Sequence, residues 1–351
     1  MCVMTERQKL LGLDTDELGA VAVESGEKAY RGRQIAGWLY SRGAREIRDM
    51  KNLPTGFRAA LEALYTVGRS QVVKAALSKD RTFKLLLKLS DGELIETVGM
   101  PYTDRFSCCV STQAGCPVNC LFCATGASGF KRSLTAAEIV DQVLTVGEYA
   151  VTQKALKVNG RVSHVVFMGM GEPLLNYEAT LKAVRLLNSE LGIGMRNITV
   201  STIGYIPGIY KLAAEHLQLT LAISLHAVDE EQRRKLVPGM SRYSLREIID
   251  AARAYIRETN RRVTFEYCLL KGVNDSRDDA IRLASLLKGL NCHVNLIPYN
   301  RVAGSGFKAP EPKCVADFFT ILEASHIQVT QREQLGAGIA AACGQLRRQS
   351  G

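Results

Sequence analysis

The sequence predicts an α/β protein whose main domain is built on a parallel β-sheet, either open or closed into a partial barrel. Six short apolar segments rich in β-forming residues alternate with helical patterns, as is typical of parallel strands joined by helices. The expected strands lie at residues 106–111, 163–168, 197–202, 220–225, 262–269 and 293–298, with a last strand at 327–332. Functional residues gather at the carboxyl ends of such strands, which draws attention to residues 169–174 and 224–226.

Two shorter regions precede this sheet. The pattern of residues 1–75 predicts short helices, for example at 33–40 and 55–65, and contains no strong strand signal. Runs of β-forming residues at 82–89 and 94–100 flank an Asp-Gly turn, which indicates a β-hairpin. We therefore expect a helical accessory domain, a hairpin linker, the main α/β domain and a C-terminal segment, at residues 1–75, 76–104, 105–335 and 336–351.

The charge of the chain favours a polyanionic partner. Its formal net charge is +10, and its basic residues are dense between positions 28 and 58, where the only acidic residues are Glu46 and Asp49. The basic residues of this segment are Lys28, Arg31, Arg33, Arg42, Arg45, Arg48, Lys51 and Arg58. The same pattern also describes an ordinary solvated surface, and the charge alone leaves both interpretations open.

The composition indicates a soluble protein of a reducing compartment. No run approaches the roughly 18 apolar residues that span a bilayer, and residues 1–12 are too polar for a secretory signal. We expect a cytoplasmic protein without a membrane partner, or an organellar one if a transit peptide has been removed. In such a compartment the ten cysteines favour metal ligation or thiol chemistry over disulfide bonds.

Three cysteines stand within eight residues, in the run CPVNCLFC at 116–123. Thiolates ligate iron or zinc, and a compact loop can wrap Cys116, Cys120 and Cys123 around one corner of a cluster. A zinc site would need a fourth ligand close by, but the sequence has no second Cys-x-x-Cys pair, and His226 and His293 are isolated. The spacing therefore favours an iron–sulfur cluster with one open iron, with zinc as the alternative.

This spacing, with an aromatic residue directly before the third cysteine, resembles the signature of the radical S-adenosylmethionine (SAM) superfamily. The resemblance implies a [4Fe-4S] cluster whose open iron is chelated by SAM, and a partial (β/α)6 barrel of the TIM type beside a small N-terminal helical accessory domain. The alternation of strands and helices agrees with that barrel independently of the cysteines.

A narrower resemblance is carried by five runs in order: TQAGC (112–116), FCATG (122–126), FMGMGEPL (167–174), SLH (224–226) and AACGQL (341–346). Together they resemble the RlmN-type adenine C2 methyltransferases, from about residue 28 to 346. Members modify an adenosine of 23S rRNA and, in some bacteria, one in the tRNA anticodon loop. The resemblance implies RNA as the polyanionic partner, a flavodoxin- or ferredoxin-type electron donor and a monomeric enzyme. It does not choose between rRNA and tRNA.

The family resemblance also implies roles for individual residues. Cys343 matches the cysteine that is methylated by one SAM molecule and activated through a second, and Cys109 matches the cysteine that releases the product through a transient disulfide. Its neighbour Cys108 competes for that role, but strand alternation points the two to opposite faces. Glu96 matches the base that removes the proton from carbon 2 of adenine.

Seven positions match the family's SAM contacts, although each could instead be a polar residue with a structural hydrogen bond. They are Gly171, Glu172, Ser201, Ser224, Leu225, His226 and Asn300. The sequence departs from the family at Gly338, where members commonly carry an aspartate, and this affects how the loop of Cys343 is positioned.

Two rival functions remain. A sister family, of the Cfr type, methylates adenine at carbon 8 with the same cysteines. Pro173 and Pro298 favour carbon 2 by resemblance, because the carbon-8 enzymes tend to carry alanine and arginine there. The other rival is a non-catalytic iron–sulfur or zinc protein that binds RNA.

Overall fold

A ten-stranded mixed β-sheet forms the centre of the computed structural model, which describes residues 7–153, 156 and 158–347. The strand order is β14-β13-β12-β11-β10-β9-β6-β5-β4-β3, and the strands from β14 to β6 all run parallel. The parallel strands are β6 (Phe106–Cys109), β9 (His164–Phe167), β10 (Ile198–Thr202), β11 (Thr220–Ser224), β12 (Val263–Leu269), β13 (Cys292–Pro298) and β14 (Gln328–Gln331). This arrangement confirms the predicted fold class, since each predicted strand is present with its ends shifted by a few residues.

Helices connect the parallel strands. They are α5 (Ala136–Thr152), α6 (Tyr177–Ser189), α7 (Ile206–Ala214), α8 (Glu230–Leu236), α9 (Leu245–Thr259), α10 (Arg277–Leu287) and α11 (Pro312–Ala324). Capping boxes begin α5, α9 and α10, where Thr135, Ser244 and Ser276 each accept a hydrogen bond from the third helical residue. The strands are apolar and buried, as in sheets covered on both faces: Phe167, Ile223, Phe265 and Val294 are at most 1% exposed.

The predicted hairpin is part of the same sheet. Its strands are β4 (Phe83–Lys88) and β5 (Leu94–Pro101), and β5 pairs antiparallel with β6. A further antiparallel strand, β3 (Gln71–Leu77), was not predicted, because its Lys-Ala-Ala centre lacks β-branched residues. The predicted boundary between residues 75 and 76 falls inside this strand.

The N-terminal region is helical, with α1 (Thr15–Glu24), α2 (Arg31–Ala36) and α3 (Thr55–Leu64), and a short parallel pair of β1 (Gln8–Lys9) with β2 (Tyr65–Thr66). An ion pair between Arg69 and Asp141 of α5 joins the N-terminal region to the main domain. The pair is buried, because each side chain is only 2% exposed. A small hairpin, β7 (Gln113–Gly115) and β8 (Phe130–Ser133), flanks the cysteine loop and the short helix α4 (Ala124–Ala127). Among the described helices, none is long and apolar enough to cross a lipid bilayer.

Candidate active site

The three cysteines of the motif lie on one tightly turned loop. Cys116 follows β7, and Cys123 directly precedes α4, with Cys120 on the turn between them. The loop can form because Gly115 has a φ of +86°, and a Cβ at this position would lie 1.8 Å from the carbonyl oxygen of Gly129. Only glycine fits here.

The loop is held from behind by α8 and the turn after it. The N–H of Leu121 donates a 3.0 Å hydrogen bond to the carbonyl of Leu236, and the N–H of Gly239 donates one of 3.0 Å to the carbonyl of Val118. A Cβ on Gly239 would lie 2.4 Å from that same carbonyl oxygen. The close approach of two backbones therefore fixes the cysteine loop against the barrel.

All three thiols face a cavity of about 160 Å³, which we call the triad cavity. Burial raises the pKa of Cys116 to about 12, and burial together with the two neighbouring thiols raises the pKa of Cys120. Thiols in this state become thiolates only when a bound cation compensates their charge. The predicted SAM contacts that line the triad cavity with them are Gly171, Glu172, Ser201, Ser224 and His226.

The triad bears on whether the site holds a cluster or a single ion. In the part of the chain that the structure describes, no three Cys, His, Asp or Glu side chains converge closely enough to hold one metal ion. A zinc ion would require sulfurs about 2.3 Å from a single centre, whereas cluster cysteines each bind a different iron. Three thiols on one loop that line one cavity suit a multi-iron cluster, in which each binds a different iron.

His226 links the loop to the end of β11. Its Nδ1 accepts a 3.0 Å hydrogen bond from the N–H of Cys268, so the proton of the neutral ring lies on Nε2. Burial lowers the pKa of His226 to about 3, which keeps the ring neutral. Phe122, from the cysteine motif, meets this ring edge-on with the centroids 4.8 Å apart.

Glu172 lies in the segment after β9, directly before a 3-10 turn at Pro173–Asn176, and both of its carboxylate oxygens accept hydrogen bonds. The N–H of Leu174 donates to one oxygen at 3.1 Å, and the N–H of Ile203 donates to the other at 2.8 Å. Burial nevertheless raises the pKa of Glu172 to about 7. An ammonium group bound in the triad cavity would favour the charged carboxylate.

Cys343 lies between the triad cavity and a second cavity of about 80 Å³, and lines both of them. Cys109, at the end of β6, lines the second cavity. Cys108 points the other way: its side chain is fully buried, and its Sγ lies 3.8 Å from Oγ1 of Thr97 on β5. The structure thus brings Cys109, and not Cys108, to the same cavity as Cys343.

Arg332 and Glu266 also border this region, although the sequence did not single them out. Arg332 lines both cavities, and its guanidinium opposes the rise that burial causes in the pKa of Cys343. Its Nη1 lies 4.0 Å from the carboxylate of Glu266. Glu266 could have been predicted as a functional residue, because it is a carboxylate inside the apolar strand β12. Arg332 could not, because it stands at a strand end among other polar residues.

The C-terminal segment is anchored at Cys343 and at the residue that follows it. Nδ2 of Asn300 donates a 3.0 Å hydrogen bond to the carbonyl of Cys343, and the N–H of Ala124 donates one of 2.8 Å to the carbonyl of Gly344. Gly338 is exposed, with no atom within 4 Å of where its Cβ would be. An aspartate would fit there, and its absence leaves these anchors in place.

Two predicted residues line neither the triad cavity nor the second cavity. Leu225 is fully buried and lines neither cavity within the described residues; its N–H donates to the carbonyl of Glu266 at 3.0 Å. Glu96 is 1% exposed and faces a separate groove of about 850 Å³, which we call the basic groove. Its basic lining residues are Lys74, Lys84, Arg301 and Arg347.

This site and fold are those of radical SAM enzymes. Residues 110–284 match the family model of the radical SAM superfamily, and residues 8–67 match that of the ribosomal RNA large subunit methyltransferase N-terminal domain. A crystal structure of a radical SAM methyltransferase from Sphaerobacter thermophilus superposes with a TM-score of 0.91, at 44% identity, covering 97% of this chain and 99% of that one.

Curated relatives narrow the assignment. A probable dual-specificity RNA methyltransferase RlmN from Thermosynechococcus vestitus is 47% identical over 338 residues, covering 96% of this chain and 98% of the relative. One of the same name from Gloeobacter violaceus is 48% identical over 342 residues, covering 97% and 95%. The chain belongs to the RlmN-type family of radical SAM RNA methyltransferases.

Membership in this superfamily implies a [4Fe-4S] cluster and SAM. The residues present fit both groups. Three thiols that share a cavity without forming a single-ion site suit the cluster. Oδ1 of Asn300 is buried and has no hydrogen-bond partner among the described residues, so it can accept one from a ligand.

Proposed function

We propose that this enzyme methylates carbon 2 of an adenosine in RNA, and that Cys343 carries the methyl group from SAM to the base. The observation that carries this proposal is the position of Cys343, which lines the triad cavity on one side and shares a second cavity with Cys109 on the other. A residue in that position can receive a group at one cavity and be attacked by a thiol at the other.

The chemistry needs a one-electron route because both the SAM methyl and carbon 2 of adenine are electron-poor. The cluster and SAM supply that route when bound. Bound at the triad cavity, SAM would supply a methyl group to Cys343, and the radical chemistry of the cluster with a second SAM would take a hydrogen atom from that methyl group. The resulting carbon-centred radical on Cys343 then bonds to carbon 2.

Cys109 and Glu96 complete the reaction. Glu96 removes the proton from carbon 2, and the unpaired electron of the adduct would return to the cluster. The thiolate of Cys109 then attacks the sulfur of Cys343, which breaks the bond between that sulfur and the transferred carbon and forms the disulfide. The electron pair of the broken bond stays with the carbon, which takes up a proton and remains on the base as its methyl group. Arg332 supports these steps, since a guanidinium beside Cys109 and Cys343 stabilises a thiolate on either.

The basic groove supports approach of the RNA from the side of Glu96. Four cations line it around a buried carboxylate, so a nucleotide bound there would meet Glu96 with its phosphates near positive charge. The N-terminal residues Arg33, Arg42 and Lys51 are exposed and offer a second contact with the RNA backbone. Such an accessory grip suits adenosines that must be drawn out of a folded RNA.

The relatives' name, dual-specificity RNA methyltransferase, supports more than one RNA as substrate, and we propose 23S rRNA and the tRNA anticodon loop. We place the enzyme in the cytoplasm as a monomer that receives electrons from a flavodoxin or ferredoxin. Pro298 supports carbon 2 as the target, because it lines the cavity of Cys109 and Cys343 where the carbon-8 enzymes tend to carry arginine.

The test is to incubate the reconstituted protein anaerobically with SAM, a reductant and either 23S rRNA or tRNA. Digested nucleosides are compared by chromatography and mass spectrometry with authentic 2-methyl- and 8-methyladenosine. We expect 2-methyladenosine from both RNAs. A dominant 8-methyladenosine peak would overturn the choice of carbon, and the absence of any methylated adenosine would overturn the proposed activity.

A further inference from the structure

One buried cation behind the cysteine loop forms no ion pair with any of the residues that the structure describes. Arg233, on α8, is 2% exposed. Its Nη2 donates a hydrogen bond of 2.6 Å to the carbonyl of Ile203, while its Nε has no hydrogen-bond partner among the described residues. Burying a guanidinium is costly unless an anion and hydrogen bonds compensate it.

Carboxylates do not supply that anion. Within the described chain, Arg233 forms no ion pair with a carboxylate, and burial lowers its pKa to about 10, a fall that Cys120 and Glu230 oppose only in part. Instead, Glu230 accepts a 2.7 Å hydrogen bond from the N–H of Leu245. Of the two groups that raise the pKa of Arg233, Cys120 has the larger effect and Glu230 the smaller.

Helix α8 keeps Arg233 next to the loop. The hydrogen bond from Leu121 to Leu236, one residue after Cys120 and three after Arg233, joins the two segments directly. A cluster bound by three thiolates is an anion, because the thiolates outweigh the charge of the oxidised four-iron core, and reduction adds a further negative charge. The cluster would therefore place a negative charge at Cys120, on the segment that is bonded to the helix of Arg233.

We propose that Arg233 is the counter-charge of the cluster: it favours cluster binding and raises the cluster's reduction potential by stabilising the reduced form. It acts through Cys120 as a positioning residue and touches no substrate. The inference rests on the cluster that family membership implies, and it does not depend on which RNA or which carbon is methylated.

The experiment compares the wild-type holoenzyme with Arg233→Met, which keeps the length of the side chain and removes its charge. Arg234→Met is the matched control, because Arg234 is the next residue of the same helix and is exposed. The midpoint potential is measured by anaerobic dithionite titration with detection by electron paramagnetic resonance. Thermal unfolding is measured with and without the cluster.

We expect a more negative midpoint potential in Arg233→Met, and a smaller rise in Tm on reconstitution because the cluster-free variant no longer buries an unpaired charge. Arg234→Met should match the wild type in both readouts, and Arg233→Lys should restore most of the potential. If Arg233→Met does not fold, Arg233→Gln takes its place with the same expectations.

The inference is overturned if the charge-free variant has the same midpoint potential and the same rise in Tm as Arg234→Met. Arg233 would then have a purely structural role. If the wild-type protein itself fails to bind a cluster, the proposed function falls as well. The two failures are therefore distinguishable.

Discussion

The backbone N–H of Arg347 donates a 3.0 Å hydrogen bond to the carboxylate of Glu96. Nζ of Lys84 lies 3.0 Å from the other carboxylate oxygen, and the same Nζ donates a 2.9 Å hydrogen bond to the carbonyl of Ala340. Residues on both sides of Cys343 are therefore fastened at Glu96. The segment that carries the methyl-bearing thiol and the strand that carries the proposed base are held as one unit.

This relationship predicts a defined phenotype for Glu96→Gln. The amide cannot take the proton from carbon 2, so the bond between Cys343 and RNA should form but not resolve. We expect a protein–RNA adduct on denaturing gels and loss of methylated product by a factor of at least about 10². Methylation of Cys343, read by peptide mass spectrometry, should persist, since that step needs no proton from the base.

Glu93→Gln is the control for this substitution, because it makes the same chemical change in the same hairpin, outside the groove. Turnover by Glu96→Gln at the wild-type rate would show that another group removes the proton.

The cysteine triad predicts the behaviour of Cys120→Ala. This variant should fold but lose the brown absorbance and the iron of the cluster, because two thiolates hold the core less well than three. Iron and sulfide are measured after anaerobic reconstitution. Cys314→Ala, which alters a cysteine of α11, should retain both. A full complement of iron in Cys120→Ala would contradict the assignment of the triad.

The exposed basic side chains of the N-terminal region predict a salt-dependent contact with RNA. Arg45 and Arg48 pair with Glu148 and Glu46, so the more informative triple variant changes Arg33, Arg42 and Lys51 to glutamate. RNA affinity should fall, and the log–log slope against salt should decrease by about 2, at about 0.7 per phosphate contact.

The control makes the same change of charge on barrel helices, at the exposed residues Arg246, Arg257 and Arg282. Cofactor cleavage without RNA should be unchanged in both triple variants. Equal RNA affinity and equal salt slope in the two variants would make the N-terminal residues an ordinary solvated surface.

The raised pKa of Glu172 predicts a pH dependence of stability in the cluster-free protein. Its pKa lies at about 7 when folded, against an ordinary value of 4.5, so the folded state binds the proton more tightly. The contribution of Glu172 to the free energy of unfolding is therefore fully present below pH 4.5. About 3 kcal/mol of it is lost as the pH rises through 7.

Urea unfolding at several pH values measures this effect. Glu172→Gln removes the titrating group, so the difference in unfolding free energy between the variant and the wild type should grow in favour of the variant from pH 4.5 to 7.5. A constant difference across that range would refute the prediction.

Much of the fold could be predicted from the sequence because its signals are local. Runs of apolar, β-forming residues predicted the parallel strands, and the Asp-Gly turn predicted the β4–β5 hairpin. Strand β3 was not predicted because its lysine and alanines favour helix over strand, and its pairing with β4 overrides that preference. Tertiary context decides such segments.

The candidate site was predictable to the extent that motifs carry it. Strand alternation separated Cys109 from Cys108, and the structure brings Cys109 and Cys343 to one cavity. Arg332 and Arg233 could not be predicted, because a charged residue beside other polar residues looks the same whether it faces solvent or a buried thiol. The placement of Glu96 in a groove of its own likewise depends on where the C-terminal segment folds.

The most direct test of the role of Cys343 is the mass of the species trapped when resolution is blocked. Cys109→Ala and Cys108→Ala are each incubated with SAM, a reductant and RNA, then digested and analysed by mass spectrometry. We predict that Cys109→Ala accumulates RNA joined to Cys343 through one carbon, whereas Cys108→Ala releases methylated product. An adduct in Cys108→Ala alone, or an adduct at any residue other than Cys343, would contradict this account.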